Sequence, residues 1–146
     1  MRVLVIDPDE GDRRRLVLGL RAGGLRAEAV ATGAAGLARL EEERFDFAIV
    51  ELLLDDVRAL RLLRCAADRF PSLQLVLTSA YHLGARQLRQ TGVDLAGFLP
   101  KPWSRDELVG FLRRKSTPPP PPPPRPLRPA SVTLTSPGAR AILRRA

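Results

Sequence analysis

Short apolar runs recur five times in this chain, and between them the hydrophobic period changes from that of a strand to that of a helix. Residues 2–6 read Arg-Val-Leu-Val-Ile and stop at Asp7. An uncharged, β-branched run of this kind suits a strand covered on both faces, because the crossovers between parallel strands lay helices over each side of the sheet. The run is followed by a helical pattern with Leu16, Leu18 and Leu20 among spaced arginines. Asp12 is placed to cap that helix, which reaches about Arg21 before Gly23-Gly24 stops it.

The cycle then repeats. A second strand is expected over Ala27 to Ala31, with Thr32 capping a helix that passes through Leu37 and Leu40 to Glu41-Glu42-Glu43. Phe47 to Leu52 reads as the third strand and Arg58 to Asp68 as the third helix, ended by Pro71-Ser72. Leu73 to Thr78, a short helix over Gly84 to Gln90, and a strand over Ala96 to Leu99 complete the series. The last helix begins at Ser104, where Ser104 and Glu107 fit a capping box and Leu108, Phe111 and Leu112 form an apolar stripe. Five strands alternating with five helices predict an α/β fold built on a doubly wound, five-stranded parallel sheet.

With 146 residues the chain has room for one domain and an appendage, and the composition divides at about residue 115. Residues 1–115 form the expected domain. Residues 116–146 hold seven consecutive prolines at 118–124 and carry five arginines with no acid, so much of the formal charge of +8 is concentrated there. A proline run can make neither helix nor sheet ladder, and the expectation is a disordered, extended tail. Arginines without aromatic partners give only weak, salt-sensitive attraction to nucleic acid or anionic lipid. Since 22 of the 24 basic residues are arginine, compositional bias explains the charge equally well.

Several function classes are disfavoured by counting. Cys65 is the only cysteine, so an intramolecular disulfide and a cysteine-based metal cluster are both excluded, and a buried place on the third helix is its expected role. His82 is the only histidine, which rules out a histidine-rich metal site and leaves a serine triad needing an unusual coincidence. No run approaches the roughly 18 to 20 apolar residues that would cross a bilayer. The opening apolar run leads into acids rather than a small-residue cleavage site, and the expectation is a soluble cytoplasmic protein.

In open parallel sheets the site forms beyond the carboxyl ends of the strands, so the residues there are the informative ones. The first strand ends in Asp7, with Asp9 and Glu10 following; the third ends in Glu51, the fourth in Thr78-Ser79-Ala80, and the fifth in Lys101-Pro102. An acidic cluster, a hydroxyl and an ammonium around one point suit a divalent cation and a phosphoryl group.

Val-Leu-Val-Ile-Asp7, Phe-Asp-Phe-Ala-Ile-Val-Glu51, Val-Leu-Thr-Ser79-Ala and Gly-Phe98-Leu-Pro-Lys101-Pro102-Trp103, in this order and spacing, resemble the receiver domain of bacterial response regulators. The resemblance covers about residues 2–114 and implies the flavodoxin-like form of the doubly wound sheet. It also implies a place in two-component phosphorelay signalling, with a histidine kinase or a downstream signalling protein as partner. In that family an aspartate at the end of the third strand accepts the phosphoryl group, and magnesium is held by it and by an acidic pair after the first strand. Here the acceptor position is Glu51. The resemblance further casts Ser79 as the hydroxyl that bonds the phosphoryl group, Lys101 as its lysine partner, Phe98 as the aromatic switch, and the Lys101-Pro102 bond as cis.

Three departures from the family pattern are linked. Glutamate carries its carboxylate one methylene too far for in-line attack, and this chemistry depends mostly on positioning. Pro8 stands where the second acid of the pair belongs, leaving Asp7, helped by Asp9, beside Glu51. The loop after the third strand has Asp55 and Arg58-Ala59 in place of the usual proline and Asp-Gly. Magnesium is therefore expected to bind weakly or not at all, through Asp7 and Glu51 if anywhere.

Two readings of Glu51 remain open. It either neutralises Lys101 in a partly buried ion pair, or reaches Lys101 and Ser79, imitates the phosphorylated state and holds Phe98 inward. Asp55 and Asp56 lie past the strand end and make poor acceptors. The resulting expectation is a degenerate, non-enzymatic pseudo-receiver that acts by protein contacts, through the helix 4, strand 5 and helix 5 face or through the tail. Its alternatives are a phosphorylatable magnesium-using receiver, and a tail that binds nucleic acid or anionic membrane.

Overall fold

The computed structural model describes residues 1–116, so the tail expected from 116 lies, beyond its first residue, outside the described residues. The elements alternate strictly: β1 (Arg2–Ile6), α1 (Glu10–Ala22), β2 (Arg26–Val30), α2 (Gly33–Glu42), β3 (Phe47–Glu51), α3 (Ala59–Arg69), β4 (Gln74–Ser79), α4 (Ala85–Gln90), β5 (Gly97–Pro100) and α5 (Arg105–Ser116). All strand pairs are parallel and the sheet order is β2-β1-β3-β4-β5. This is the flavodoxin-like order, in which the chain reverses its direction of travel between β1 and β3 and leaves a crevice at their carboxyl ends.

The alternation along β1 builds both halves of the core. Leu4 and Ile6 join Leu40, Val50, Leu62, Leu63 and Leu75 on one face, while Val3 and Val5 join Leu16, Leu20, Phe47, Ile49 and Leu108 on the other. Every residue of β3 is buried, as a central strand between two helical layers must be. Burying each such side chain contributes about 1.5–3 kcal/mol, which is why the uncharged strand runs dominate the sequence pattern.

The expected elements are all present, with differences at their ends. β5 extends to Pro100, paired with Ser79. An edge strand tolerates proline because it has one side without a ladder to complete. Thr32 caps α2 as expected, accepting from the Ala35 N–H, and the Ser104 and Glu107 pair closes the capping box of α5. Asp12 does not cap α1. The helix starts earlier, and Asp9 is the cap, its carboxylate accepting from the Asp12 N–H at 2.7 Å. Cys65 is half-buried rather than buried, because the inward stripe of α3 is Ala59, Leu62, Leu63 and Ala66 and Cys65 sits at its flank. Among the described residues no helix is long and apolar enough to cross a membrane.

Gly36 marks the closest approach of a helix to the sheet. A β-carbon there would collide with the Ile6 side chain, standing 2.9 Å from its Cγ1. Overpacking of a core costs about 1–3 kcal/mol, against a helix-propensity gain for alanine over glycine of about 1 kcal/mol. Gly36→Ala is expected to lower the urea midpoint, and an unchanged or higher midpoint would show that α2 can move off the sheet freely.

Candidate functional site

The strand ladder carries the candidate residues to one edge. The Asp7 N–H donates to the Val30 carbonyl at 3.1 Å, and Leu52 N–H donates to the Thr78 carbonyl at 2.9 Å, just after Glu51 pairs with Thr78. Lys101 N–H donates to the Ser79 carbonyl at 2.8 Å. Residues distant in the chain are thus registered by backbone hydrogen bonds before any side chain interacts.

At this edge the Lys101 ammonium is surrounded by three carboxylates. Nζ donates to Asp7 Oδ2 at 2.9 Å and Asp12 Oδ2 at 2.7 Å, and stands 2.5 Å from Glu51 Oε2. The last contact is an ion pair off hydrogen-bond alignment, since the buried Oε2 has no hydrogen-bond partner. The remaining oxygens are also engaged. Asp7 Oδ1 accepts from the Asp9 N–H at 2.9 Å, Glu51 Oε1 from the Leu53 N–H at 3.2 Å, and Asp12 Oδ1 lies 3.6 Å from Arg15.

Only 1% of the Asp7 side chain, 8% of Glu51 and 15% of Lys101 is exposed, so these charges have little water to fall back on. Burial alone would lower the lysine pKa. The contacts with Asp12, Glu51 and Asp7, together with the Asp7 charge, outweigh it and hold the ammonium above the ordinary lysine value. Because the folded value is the raised one, the contribution of the lysine is present below its unfolded pKa of about 10.4, as long as its carboxylate partners are ionised, and is lost as pH climbs through the folded value.

The other expected residues sit around this cluster with separate partners. Ser79 is buried, and its Oγ accepts from the Tyr81 N–H at 3.1 Å rather than meeting Glu51. Phe98 is half-buried and packs against the core layer of Leu77 and Leu63. The Lys101-Pro102 peptide is cis and Pro102 is exposed. Asp9 faces its own helix start instead of the ammonium, and Asp12, three residues on and within the first turn of α1, takes the place in the cluster expected of Asp9. Thr78 Oγ1 donates to the Leu99 carbonyl at 2.8 Å and receives the Trp103 Nε1–H at 3.4 Å, tying the lysine-bearing loop to β4.

Asp56 has a role the sequence gave no sign of. Its carboxylate accepts from Gly33 N–H at 2.9 Å and Ala34 N–H at 3.0 Å, fastening the β3–α3 loop to the start of α2. Those two hydrogen bonds hold its pKa below the usual carboxylate range. The contact spans 23 residues and depends only on where the two loops meet.

A family model for the response regulator receiver domain matches residues 3–113. The chain belongs to this family. The chain is 30% identical over 113 residues to the sensor protein TorS of Escherichia coli, covering 77% of this chain and 12% of that protein. It is 27% identical over 110 residues to the photosynthetic apparatus regulatory protein RegA of Rhodovulum sulfidophilum, covering 75% of this chain and 60% of that one. The receiver therefore spans less than two thirds of either relative. In fold it is similar to the chemotaxis response regulator CheY4 of Vibrio cholerae, with a TM-score of 0.72 at 20% identity over 78% of this chain and 97% of that one.

Removing the ammonium leaves carboxylates buried without their counter-charge, a change that costs about 3–5 kcal/mol where a buried pair is broken. Lys101→Met is expected to destabilise the receiver by that order in urea unfolding. Adding Glu51→Gln to it should recover part of the loss. A neutral Lys101→Met would mean that water reaches the cluster well enough to solvate it.

Proposed function

We propose that this receiver works in two-component signalling without being phosphorylated, as a pseudo-receiver that passes its signal through protein contacts. The observation that supports this most is the occupation of Lys101. In the family pattern that lysine pairs with the phosphoryl group, whereas here its ammonium donates to Asp7 and Asp12 and is ion-paired with the Glu51 carboxylate itself. A phosphoryl group arriving at Glu51 would have to displace its own acceptor from the ion pair. Of the two readings of Glu51, its reach to Lys101 fits both, while the separate engagement of Ser79 favours neutralisation over full imitation of the phosphorylated state.

The same geometry bears on magnesium. Family members hold it between the acceptor and an acidic pair, but Pro8 offers no ligand and the inward oxygens of Asp7, Asp12 and Glu51 point at Nζ. Among the described residues no three acids stand in a metal-ligating arrangement. The ammonium stands at the point on which those oxygens converge, which supports weak or no magnesium binding.

For partners, the supporting features are the half-buried apolar side chains Leu88 and Phe98 on the α4 and β5 side, and an α4 that buries none of its residues. That side is the proposed contact surface for a histidine kinase or a downstream signalling protein. The division into a receiver of residues 1–115 and a separate tail belongs to the same proposal.

The test is incubation with a small-molecule acyl phosphate and magnesium, followed by intact-mass measurement. No acid-labile phosphoprotein is expected from the natural sequence. Phosphate on Glu51, or equal labelling of the natural protein and Glu51→Asp, would overturn the reading.

A further inference from the structure

The exposed large apolar side chains of the receiver are not scattered. Of the five, three stand on the loops that surround the Lys101 cluster: Leu53 and Val57 after β3, 57% and 36% exposed, and Tyr81 after β4, 62% exposed. Leu53 and Tyr81 follow neighbouring strands whose ends are in register, Glu51 opposite Thr78. An apolar rim at the carboxyl edge of a parallel sheet is a surface that binding would cover.

Charge at this edge runs against the rest of the chain. Residues 7–13, 51–58, 79–84 and 101–106 hold eight acids and four basic residues, while the whole chain carries +8. Glu10 and Asp55, both exposed at this rim, have no side-chain partner among the described residues. The surface therefore suits a basic segment carrying apolar side chains.

Such a segment lies in the same chain. Residues 138–146 read Gly-Ala-Arg-Ala-Ile-Leu-Arg-Arg-Ala, with Ile142 and Leu143 between Arg140 and Arg144-Arg145 and no acid. We propose that this segment docks in cis on the rim formed by Leu53, Val57 and Tyr81, its arginines facing Glu10 and Asp55.

The reach is sufficient. α5 starts beside Lys101 and runs back to the opposite edge of the sheet, where the Gln74 side chain donates to the Lys115 carbonyl at 3.4 Å. Its 12 residues span about 18 Å at about 1.5 Å each. A run of seven prolines can reach about 22 Å at about 3.1 Å per residue, and 13 further residues separate the end of that run from residue 138. A tether of this kind gives an effective concentration on the order of millimolar, so weak contacts are enough for docking. The inference does not depend on whether Glu51 takes phosphate.

The test uses the full chain with Cys65→Ala and a nitroxide label on Ala146→Cys, read by paramagnetic broadening of backbone amides. Glu10, Leu53, Asp55 and Tyr81 should lose intensity. Intensity should return with Arg140, Arg144 and Arg145 all changed to Gln, and in about 1 M salt, where screening acts beyond about 3 Å. Those variants leave the folded receiver untouched. Even broadening over the surface, or broadening centred on Asp46 and Gln74 at the opposite edge, would overturn the proposal. So would equal broadening in a mixture of spin-labelled chain without isotope and isotope-enriched chain without the label, which would mean contact between copies.

Discussion

One ammonium among three carboxylates holds the carboxyl edge of this sheet together. A carboxylate as deeply buried as Asp7 survives only with a counter-charge and hydrogen bonds, because desolvation of an isolated charge is far more costly than a single contact returns. Lys101 supplies that charge at once to Asp7 after β1, Asp12 on α1 and Glu51 at the end of β3. The cluster thus joins elements that are far apart in the chain, and its cost is contained because nearly every oxygen in it has a partner.

The rest of the architecture makes that cluster attainable. Parallel pairing aligns the ends of β1, β3, β4 and β5 along one edge, and two apolar layers hold the sheet rigid behind them. The loops at the edge are then free to differ from the family pattern without disturbing the fold. Asp9 leaves the pocket to cap α1, Asp12 enters it, and Asp56 reaches across to the start of α2. Substitution of chemistry on a retained scaffold is the general behaviour of such sheets, since site residues sit on loops while the core sits in strands.

The proposed loss of phosphate chemistry has the same origin. Glu51 has one more methylene than an aspartate, and that length carries its carboxylate onto Nζ. Pro8 contributes no ligand, and Lys101 balances the carboxylates of the pocket. A rim of Leu53, Val57 and Tyr81 then faces solvent around a pocket that is closed from within.

The alternation of apolar runs and helical periods determined the element order, the parallel sheet and its two-layered core, because burial on both faces leaves a dense apolar pattern in the central strands. The strand-terminal residues Asp7, Glu51, Ser79 and Lys101 were legible for the same reason: position at the end of such a run places a side chain at the functional edge. Tertiary structure alone decided the partners. Asp9 and Asp12 differ by less than one helical turn, and which of them caps α1 and which meets Lys101 depends on where the helix starts and which way its first turn faces. Asp56 found the start of α2 because two loops meet in space, and no local pattern encodes a contact between groups that share only their distance in the folded chain.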